Sequence, residues 1–370
     1  MVMEVMRAAI DREAAGERVI HMEVGQPGAP APQPVLAAAR AALEHGRIAY
    51  TEAMGLRALR TRIARSYADA HGIDVSPDRI AVTTGSSAAF NIAFLDAFDH
   101  GERIALASPG YPAYRNFLHA LGLEAVEVPV EAASRYVMTP ELLEAAHRDK
   151  PLAGVLVASP ANPSGTVMQP EALGALIEAA HDLGLRFISD EIYHGLVYDG
   201  EAETALRFSP HAIVVNSFSK YYCMTGWRIG WMVLPEDLLR PCERLAQNLY
   251  ISAPELSQIA ATAAFDSRPE LEVIKATYAE NRRILLDRLP AIGFDEFHPA
   301  DGAFYIYASV RRFSNDSIDF ARRMLAEAGV AATPGPDFDR VNGHQWMRFS
   351  FAGTTPDMAE AMDRIAGWLR

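Results

Sequence analysis

The chain has 370 residues, half of them apolar, which is enough to bury a large core and excludes a disordered or disulfide-stapled miniprotein. Its 34 basic and 47 acidic residues give a net charge of −13, which offers no attraction to nucleic acid and favours small-molecule partners. Two cysteines without C-x-x-C spacing argue against disulfide, zinc-ribbon and dithiol redox sites. No apolar run approaches the ~20 residues of a membrane span and the N-terminus shows no targeting pattern, so we expect a cytoplasmic protein that does not bind membranes.

Short apolar or β-branched runs alternate with amphipathic helical stretches over the first two thirds of the chain. The runs predict strands at residues 80–83, 103–107, 124–128, 154–159, 186–189, 213–216 and 228–234. Helices between them are predicted at residues 88–99, 171–183 and 236–247. This alternation is typical of an α/β fold with a largely parallel sheet covered on both faces.

The pattern changes after residue 254 to long helices, predicted at residues 255–265 and 270–289. The remaining segments predict strands near residues 294–298, 303–308 and 346–351, and helices at residues 317–328 and 356–369. These elements indicate a second, smaller α+β domain. We therefore predict a large domain over residues 48–255, connecting helices over residues 256–285, and a small domain made of residues 1–47 and 286–370.

Polar loops follow four of the predicted strands, beginning at Thr84, Ser159, Asp190 and Ser217. Ligands of open α/β sheets bind beyond the carboxyl ends of the strands, so these loops should meet at one site. The loop Thr84-Gly85-Ser86 opens a helix, whose N-terminus favours an anion such as phosphate. The same residues are also consistent with an ordinary helix N-cap.

Asp190 ends an apolar strand, where a carboxylate is costly unless a cation or a strong donor faces it. A protonated pyridinium nitrogen is one such partner. Alternatively, Asp190 and Glu191 are ordinary loop acids or caps. Tyr193 is close enough in sequence to present its hydroxyl to the same ligand.

Lysine occurs at only three positions, Lys150, Lys220 and Lys275, because arginine supplies almost every other positive charge. A lysine amine can form a Schiff base and can lose its proton when buried, whereas a guanidinium does neither usefully. Lys150 and Lys275 lie in polar stretches, whereas Lys220 lies among aromatic and small residues. Lys220 is therefore either a Schiff-base lysine or the partner of Ser217 in an S-x-x-K acyl-enzyme, although the chain lacks the K-T-G motif that the second interpretation requires.

Two arginines, Arg228 and Arg348, lie in predicted apolar strands, where a charge needs a partner. A phosphate suits Arg228, and a carboxylate suits the planar fork of Arg348. Each could instead pair with one of the 47 acidic residues. The histidines and cysteines show no metal-ligand spacing, so we predict no metal site.

Taken together, the loops resemble the class I/II aminotransferases of fold type I, the aspartate aminotransferase superfamily, from about residue 24 to residue 354. The motifs that carry the resemblance are, in chain order, Tyr50-Thr-x-x-x-Gly-Leu-x-x-Leu-Arg, Thr84-Gly-Ser, Ser108-Pro-Gly-Tyr-Pro-x-Tyr, Ser159-Pro-Ala-Asn-Pro-Ser-Gly-Thr, Ser189-Asp-Glu-Ile-Tyr, Ser217-Phe-Ser-Lys, Thr225-Gly-Trp-Arg-Ile-Gly and Arg348-Phe-Ser-Phe-Ala. The resemblance implies a large domain with a mostly parallel seven-stranded sheet, a smaller α+β domain, and pyridoxal 5′-phosphate as cofactor.

The resemblance also implies the catalytic residues. Lys220 would hold the cofactor as an imine and then move the proton between substrate and cofactor. Asp190 would keep the pyridine nitrogen protonated, so that the ring accepts electrons. Asn162 and Tyr193 would hydrogen bond the ring oxygen, and Tyr111 would stack on the ring.

The remaining implied residues bind the phosphate and the substrate. The cofactor phosphate would be bound by Gly85, Ser86, Ser217 and Arg228. Tyr50 would reach the same phosphate from the second subunit of a homodimer with shared active sites. Arg348 would bind the substrate carboxylate, together with Gly25 and Asn162.

The implied activity is a ping-pong exchange of an amino group between an L-amino acid and a 2-oxo acid, in amino acid metabolism. Two alternatives stay open on the same residues: a β-lyase, which would release ammonia or a thiol, and a cofactor-binding module without catalysis. Ser87 and the loop Val24-Gly-Gln-Pro-Gly depart from the acid-specific members, which argues against strict specificity for aspartate.

Overall fold

A computed structural model describes residues 2–370, and the strands of this part of the chain form three sheets. The strands are Ile20–His21 (β1), Ile80–Thr83 (β2), Arg103–Ser108 (β3), Glu124–Pro129 (β4), Gly154–Ala158 (β5), Arg186–Asp190 (β6), Ile213–Ser217 (β7), Gly230–Val233 (β8), Tyr305–Ser309 (β9), Val330–Ala331 (β10), Thr333–Pro334 (β11) and Trp346–Ser350 (β12). The largest sheet has seven strands in the order β2-β8-β7-β6-β5-β3-β4. Strand β8 runs opposite to the other six strands of this sheet, which confirms the predicted α/β fold with a mostly parallel sheet.

The last of the predicted large-sheet strands begins later than the sequence indicates. We predicted it from residue 228, but β8 begins at Gly230. Arg228 has a φ of 50°, in the left-handed region, so its backbone cannot continue a strand. Arg228 thus lies in the turn before β8 rather than inside the sheet.

Helices cover both faces of the large sheet and surround the smaller sheets. They are Val2–Ala14 (α1), Gln33–Glu44 (α2), Arg57–His71 (α3), Gly85–Ala97 (α4), Pro112–Ala120 (α5), Pro140–Asp149 (α6), Pro170–Asp182 (α7), Glu236–Leu249 (α8), Glu255–Ala264 (α9), Arg268–Ile292 (α10), Ser317–Arg323 (α11) and Thr355–Trp368 (α12). None of the helices in residues 2–370 is long and apolar enough to cross a membrane.

Alternating residues of each buried strand pack into two different cores. In β5, Val155 and Val157 face the core that α2, α3, α7 and α9 complete, whereas Leu156 faces the core formed with α4, α5 and α8. Because both faces are buried, the strands consist of nearly continuous apolar residues. The sheet is therefore a rigid platform whose strand ends can hold polar loops in place.

The C-terminal elements form a further core around an antiparallel sheet in the order β11-β12-β9, together with the parallel pair β1–β10. The strand predicted near residues 294–298 is wrong, because only a single bridge, Phe297 to Ala308, is present there. The helix predicted over residues 317–328 changes to a π-helix at Met324. Helix α2 packs Val35 into the core of the large sheet. The predicted boundaries between the large domain, the connecting helices and the small domain stay a prediction.

Candidate active site

The carboxyl ends of three neighbouring parallel strands place the predicted loops at one edge of the large sheet. Strands β5, β6 and β7 are adjacent, and they end just before Ser159, at Asp190 and at Ser217. The antiparallel strand β8 begins at the same edge, because Gly230 pairs with both Ser217 and Thr83. The topology thus brings the loops after β2, β5, β6 and β7 together with the turn before β8.

An anion-binding cradle lies where α4 begins. Gly85 is the first residue of α4 and has a φ of +74°, and a Cβ added to it would lie 2.6 Å from Nη2 of Arg228. Arg228 is held by a 3.0 Å hydrogen bond from Nη1 to the carbonyl of Thr225. The hydroxyl of Ser217 lies 3.0 Å from the carbonyl of Ile229, next to Arg228. A guanidinium, a serine hydroxyl and the N–H groups at the N-terminus of α4, Ser86 included, are a donor set suited to a phosphate.

The carboxylate of Asp190 lies inside the protein, with only 3% of the residue exposed. It accepts hydrogen bonds from the hydroxyl of Tyr114 and, at 3.0 Å, from the N–H of Ile192. Burial raises the pKa of Asp190 to about 6, against the opposing effects of these hydrogen bonds and of Lys220. A cationic ligand group beside Asp190 would stabilise its ionised form and lower this pKa.

The amine of Lys220 also lies in the site. Its Nζ donates a 2.5 Å hydrogen bond to the carbonyl of Gly25 and lies 5.8 Å from the ring centre of Tyr193. Burial, and then the positive charge of Arg348, lower the pKa of Lys220 to about 8. The neutral amine, which is the form that attacks carbonyl carbons and accepts protons, is therefore accessible near neutral pH.

Arg348 lies in β12 with 3% of the residue exposed. Its Nη1 donates to Oδ1 of Asn162 at 2.9 Å, and its Nη2 donates to the carbonyl of Glu23 at 2.7 Å. The guanidinium stacks 4.2 Å from the ring centre of Tyr305 and 4.7 Å from that of Phe338. Nε has no hydrogen-bond partner among residues 2–370. Asn162 and the carbonyl of Glu23 thus orient the guanidinium, which keeps N–H donors free for a carboxylate.

The other predicted residues differ in their distance from this centre. Tyr111 is partly exposed and contacts Tyr114 edge to face, with 5.2 Å between the ring centres. Gly25 approaches Tyr305 so closely that a Cβ added to it would lie 2.1 Å from the hydroxyl. Tyr50 lies at the surface, with 80% of the residue exposed. Among residues 2–370, its hydroxyl forms no hydrogen bond with Arg228 or Lys220.

Sequence reasoning missed several residues that shape the site. Tyr114 hydrogen bonds Asp190, and Tyr305 places its hydroxyl 2.8 Å from that of Tyr193 and its ring against Arg348. Phe338 covers the same guanidinium, and the carbonyl of Glu23 holds it. Of these residues, only Tyr114 could have been found from the sequence, since it is the last residue of the motif that begins at Ser108. The others depend on contacts between segments that are distant in sequence.

Comparison with known proteins agrees with this geometry. Residues 17–365 match the family described as aminotransferase class I and II. A valine–pyruvate aminotransferase of Mycobacterium tuberculosis is 50% identical over 100% of this chain and 95% of that protein. An aspartate/prephenate aminotransferase of Thermus thermophilus is 31% identical over 97% of this chain and 93% of that protein.

Solved structures give the same result. An aminotransferase from Mycobacterium tuberculosis superposes with a TM-score of 0.97 at 49% identity, covering 100% of this chain and 96% of the other. An aspartate aminotransferase from Thermus thermophilus with maleate superposes with a TM-score of 0.93 at 30% identity, covering 99% and 96% of the two chains. These similarities favour amino-group transfer over the lyase and the non-catalytic alternatives.

Proposed function

The chain belongs to the class I and II aminotransferases and transfers an amino group with pyridoxal 5′-phosphate, and we propose that its donor is valine and its acceptor is pyruvate. The 50% identity to an enzyme named for this pair, over the whole chain, supports the choice.

The residues of the site fit the cofactor. A Cβ at position 85 would collide with Arg228, so glycine keeps open the cradle that the phosphate would fill. Asp190 is a buried carboxylate whose raised pKa calls for a cation, and a protonated pyridine nitrogen supplies one. When bound, pyridoxal 5′-phosphate supplies an aldehyde that joins to amines and a protonated ring that withdraws electrons. Gly85, Ser86, Ser217 and Arg228 would hold its phosphate.

Lys220 carries the proton chemistry, and its position next to Arg228 of the cradle is the observation that supports this role. Its neutral Nζ removes the proton from the substrate Cα, and its charged form returns a proton later in the reaction. The pKa of about 8 makes both forms available at physiological pH. Tyr193 and Asn162 would hydrogen bond the cofactor ring, and Tyr111 would pack against it.

Arg348 orients the substrate through the α-carboxylate. Asn162 and the carbonyl of Glu23 fix the plane of the guanidinium, so the carboxylate meets a preformed fork. Arg348 can bind the amino donor and the oxo-acid acceptor in the same way, since each of them carries a carboxylate next to the reacting carbon. The carboxylate therefore holds the Cα of either substrate in one place relative to Lys220.

A homodimer with shared active sites completes the proposal. Exposed apolar side chains at Ile48, Tyr50, Leu249 and Ile251 form a patch, because Thr51 N–H hydrogen bonds to Ser252 at 3.2 Å and so joins the two segments. An exposed patch of this kind suits a subunit interface, across which Tyr50 enters the partner's site. We further propose that the protein works in the cytoplasm, since both cysteines are buried and unpaired.

A donor and acceptor screen tests the function. Purified holoenzyme is given valine, leucine, phenylalanine or aspartate with either pyruvate or 2-oxoglutarate, and alanine, glutamate and free ammonia are measured together. We expect the fastest exchange with valine and pyruvate, stoichiometric alanine and no ammonia, and no turnover by Lys220→Arg. Preference for aspartate would contradict the proposed donor, and ammonia release without an acceptor would indicate a lyase.

A further inference from the structure

The segment of residues 23–27, which we call the strap, passes over the active site and directs two backbone carbonyls into it. The carbonyl of Glu23 accepts the 2.7 Å hydrogen bond from Nη2 of Arg348. The carbonyl of Gly25 accepts the 2.5 Å hydrogen bond from Nζ of Lys220. The path of the strap therefore determines where a proposed substrate-binding group and the proposed proton carrier lie.

The backbone of the strap is not held by a sheet. Met22, just before it, pairs with β10 through its N–H at 2.8 Å and with β12 through its carbonyl at 2.7 Å. The next backbone pairing is at Gly28, whose N–H donates to the carbonyl of Ala352 at 3.0 Å. Between them, within the described part of the chain, residues 23–27 make no backbone-to-backbone hydrogen bond. Side chains must therefore fix the strap.

The side chain best placed to do this is Glu23. Glu23 is fully buried, and its Oε1 lies 2.8 Å from Nδ1 of His21 on β1. Nε2 of His21 lies 3.2 Å from the carboxylate of Glu13 on α1. The hydrogen bond to Glu23 is the main cause that raises the pKa of His21 to about 9, so His21 is positively charged at neutral pH. On the opposite side, Thr333 donates to the carbonyl of Glu23 at 2.9 Å.

A buried carboxylate is expensive to desolvate, and removing its charged partner His21 leaves that cost uncompensated. The pair of Glu23 and His21 thus ties the first residue of the strap to β1, while the carbonyl of the same residue faces Arg348. If the side chain is released, the peptide can rotate, and the guanidinium then loses one of the two hydrogen bonds that set its plane.

We propose that Glu23 is a positioning residue for substrate binding: its carboxylate, held by His21, fixes the carbonyl that orients Arg348 and so sets the affinity of the enzyme for α-carboxylates. This inference rests on the carboxylate role proposed for Arg348. Glu23 does not touch the substrate in this scheme. It acts through the backbone of the strap.

The test uses 3-methylbutanoate, a carboxylate of the size of valine that cannot react. Its Kd for the holoenzyme is measured by isothermal titration calorimetry in wild type, Glu23→Gln, Glu23→Ala and His21→Gln. We expect Kd to rise about tenfold in Glu23→Ala, with a smaller rise in Glu23→Gln and His21→Gln, while kcat at saturating substrate changes less than KM. Glu13→Gln is the matched control, since Glu13 meets the same imidazole from its exposed side, and its Kd should stay within about twofold.

A second experiment tests whether Glu23 acts through Arg348. In Arg348→Lys the fork is lost, so adding Glu23→Gln should weaken binding by much less than it does in wild type. A thermal midpoint that falls in Glu23→Gln while Kd and KM stay unchanged would overturn the inference, as would fully additive losses in the double variant. If Arg348→Lys alone binds 3-methylbutanoate like wild type, the carboxylate role of Arg348 fails first and the inference fails with it. If Arg348→Lys weakens binding and neither Glu23 variant does, only the positioning role fails.

Discussion

Replacing Arg348 by alanine should separate substrate binding from chemistry. Arg348 has donors left after its hydrogen bonds to Asn162 and Glu23, and a hydrogen bond to a charged group contributes about 1.5–3 kcal/mol. Loss of the carboxylate contact should therefore raise KM by roughly 10- to 150-fold for the amino donor and for the oxo-acid acceptor. The contact is made in both ground and transition states, so kcat should fall much less.

The same substitution should alter the pH dependence. The charge of Arg348 is the second cause of the lowered pKa of Lys220, after burial. Without it, the pKa of Lys220 in the apoprotein should move up from about 8, which chemical labelling of the amine against pH can measure. The assay combines initial rates for both substrates with this titration, and Arg283→Ala serves as control because Arg283 is an exposed arginine paired with Glu280 and Asp287. Unchanged KM for both substrates in a folded Arg348→Ala protein would refute the reasoning.

Four further changes probe other parts of the site. Borohydride reduction of the holoenzyme should link the cofactor covalently to the peptide that contains Lys220, as identified by mass spectrometry. A label on another lysine would contradict the assignment. Lys220→Arg should be almost inactive. Asp190→Asn should slow the chemical step at saturating substrate by roughly 100-fold, because a charge that stabilises the transition state is removed; single-turnover rates equal to wild type would refute it. Tyr50→Ala and Lys220→Ala should each be poor enzymes, but refolding their mixture should restore activity through hybrid dimers with one intact site; co-purifying hybrids without activity would rule out a shared site. The pKa of His21 is raised, so its stabilisation is complete below about pH 6.5 and is lost as pH rises through about 9; thermal unfolding of wild type should show this loss and His21→Gln should not.

The sequence was most informative where chemistry restricts the choice of residue. Lysine is so rare in this chain that the sequence alone distinguishes Lys220 from the two lysines in polar stretches. The loops after the strands could be located because both faces of the large sheet are buried, which makes each strand a nearly continuous apolar run that ends abruptly at a polar residue such as Asp190. Strand ends of a parallel sheet then meet by topology, without knowledge of side-chain contacts.

The parts that could not be predicted depend on long-range contacts. Tyr305 and Glu23 contribute a ring and a carbonyl to the grip on Arg348, and neither role leaves a periodic or compositional signal. Helix α3 was missed because its charged residues dilute the apolar pattern, although Leu59 and Ile63 are fully buried. The apolar neighbours of Arg228 predict a strand at this position. In the structure Arg228 has a left-handed backbone conformation, and its side chain lies against Gly85. No sequence pattern indicates this conformation for an arginine.

The distribution of charge explains why so acidic a chain can bind anionic ligands. The chain carries a net charge of −13, yet Lys220, Arg228 and Arg348 act on one another at the strand ends with Asp190 as the opposing carboxylate. Burial is the main cause that lowers the pKa of Lys220, and each arginine lowers it further, so the three cations repel one another. With the proposed roles of these residues, a phosphate at Arg228 and a carboxylate at Arg348 would relieve this repulsion, which favours the binding of anions. Burial together with this repulsion keeps Lys220 partly neutral, so the arrangement that we propose binds anions would also prepare the base.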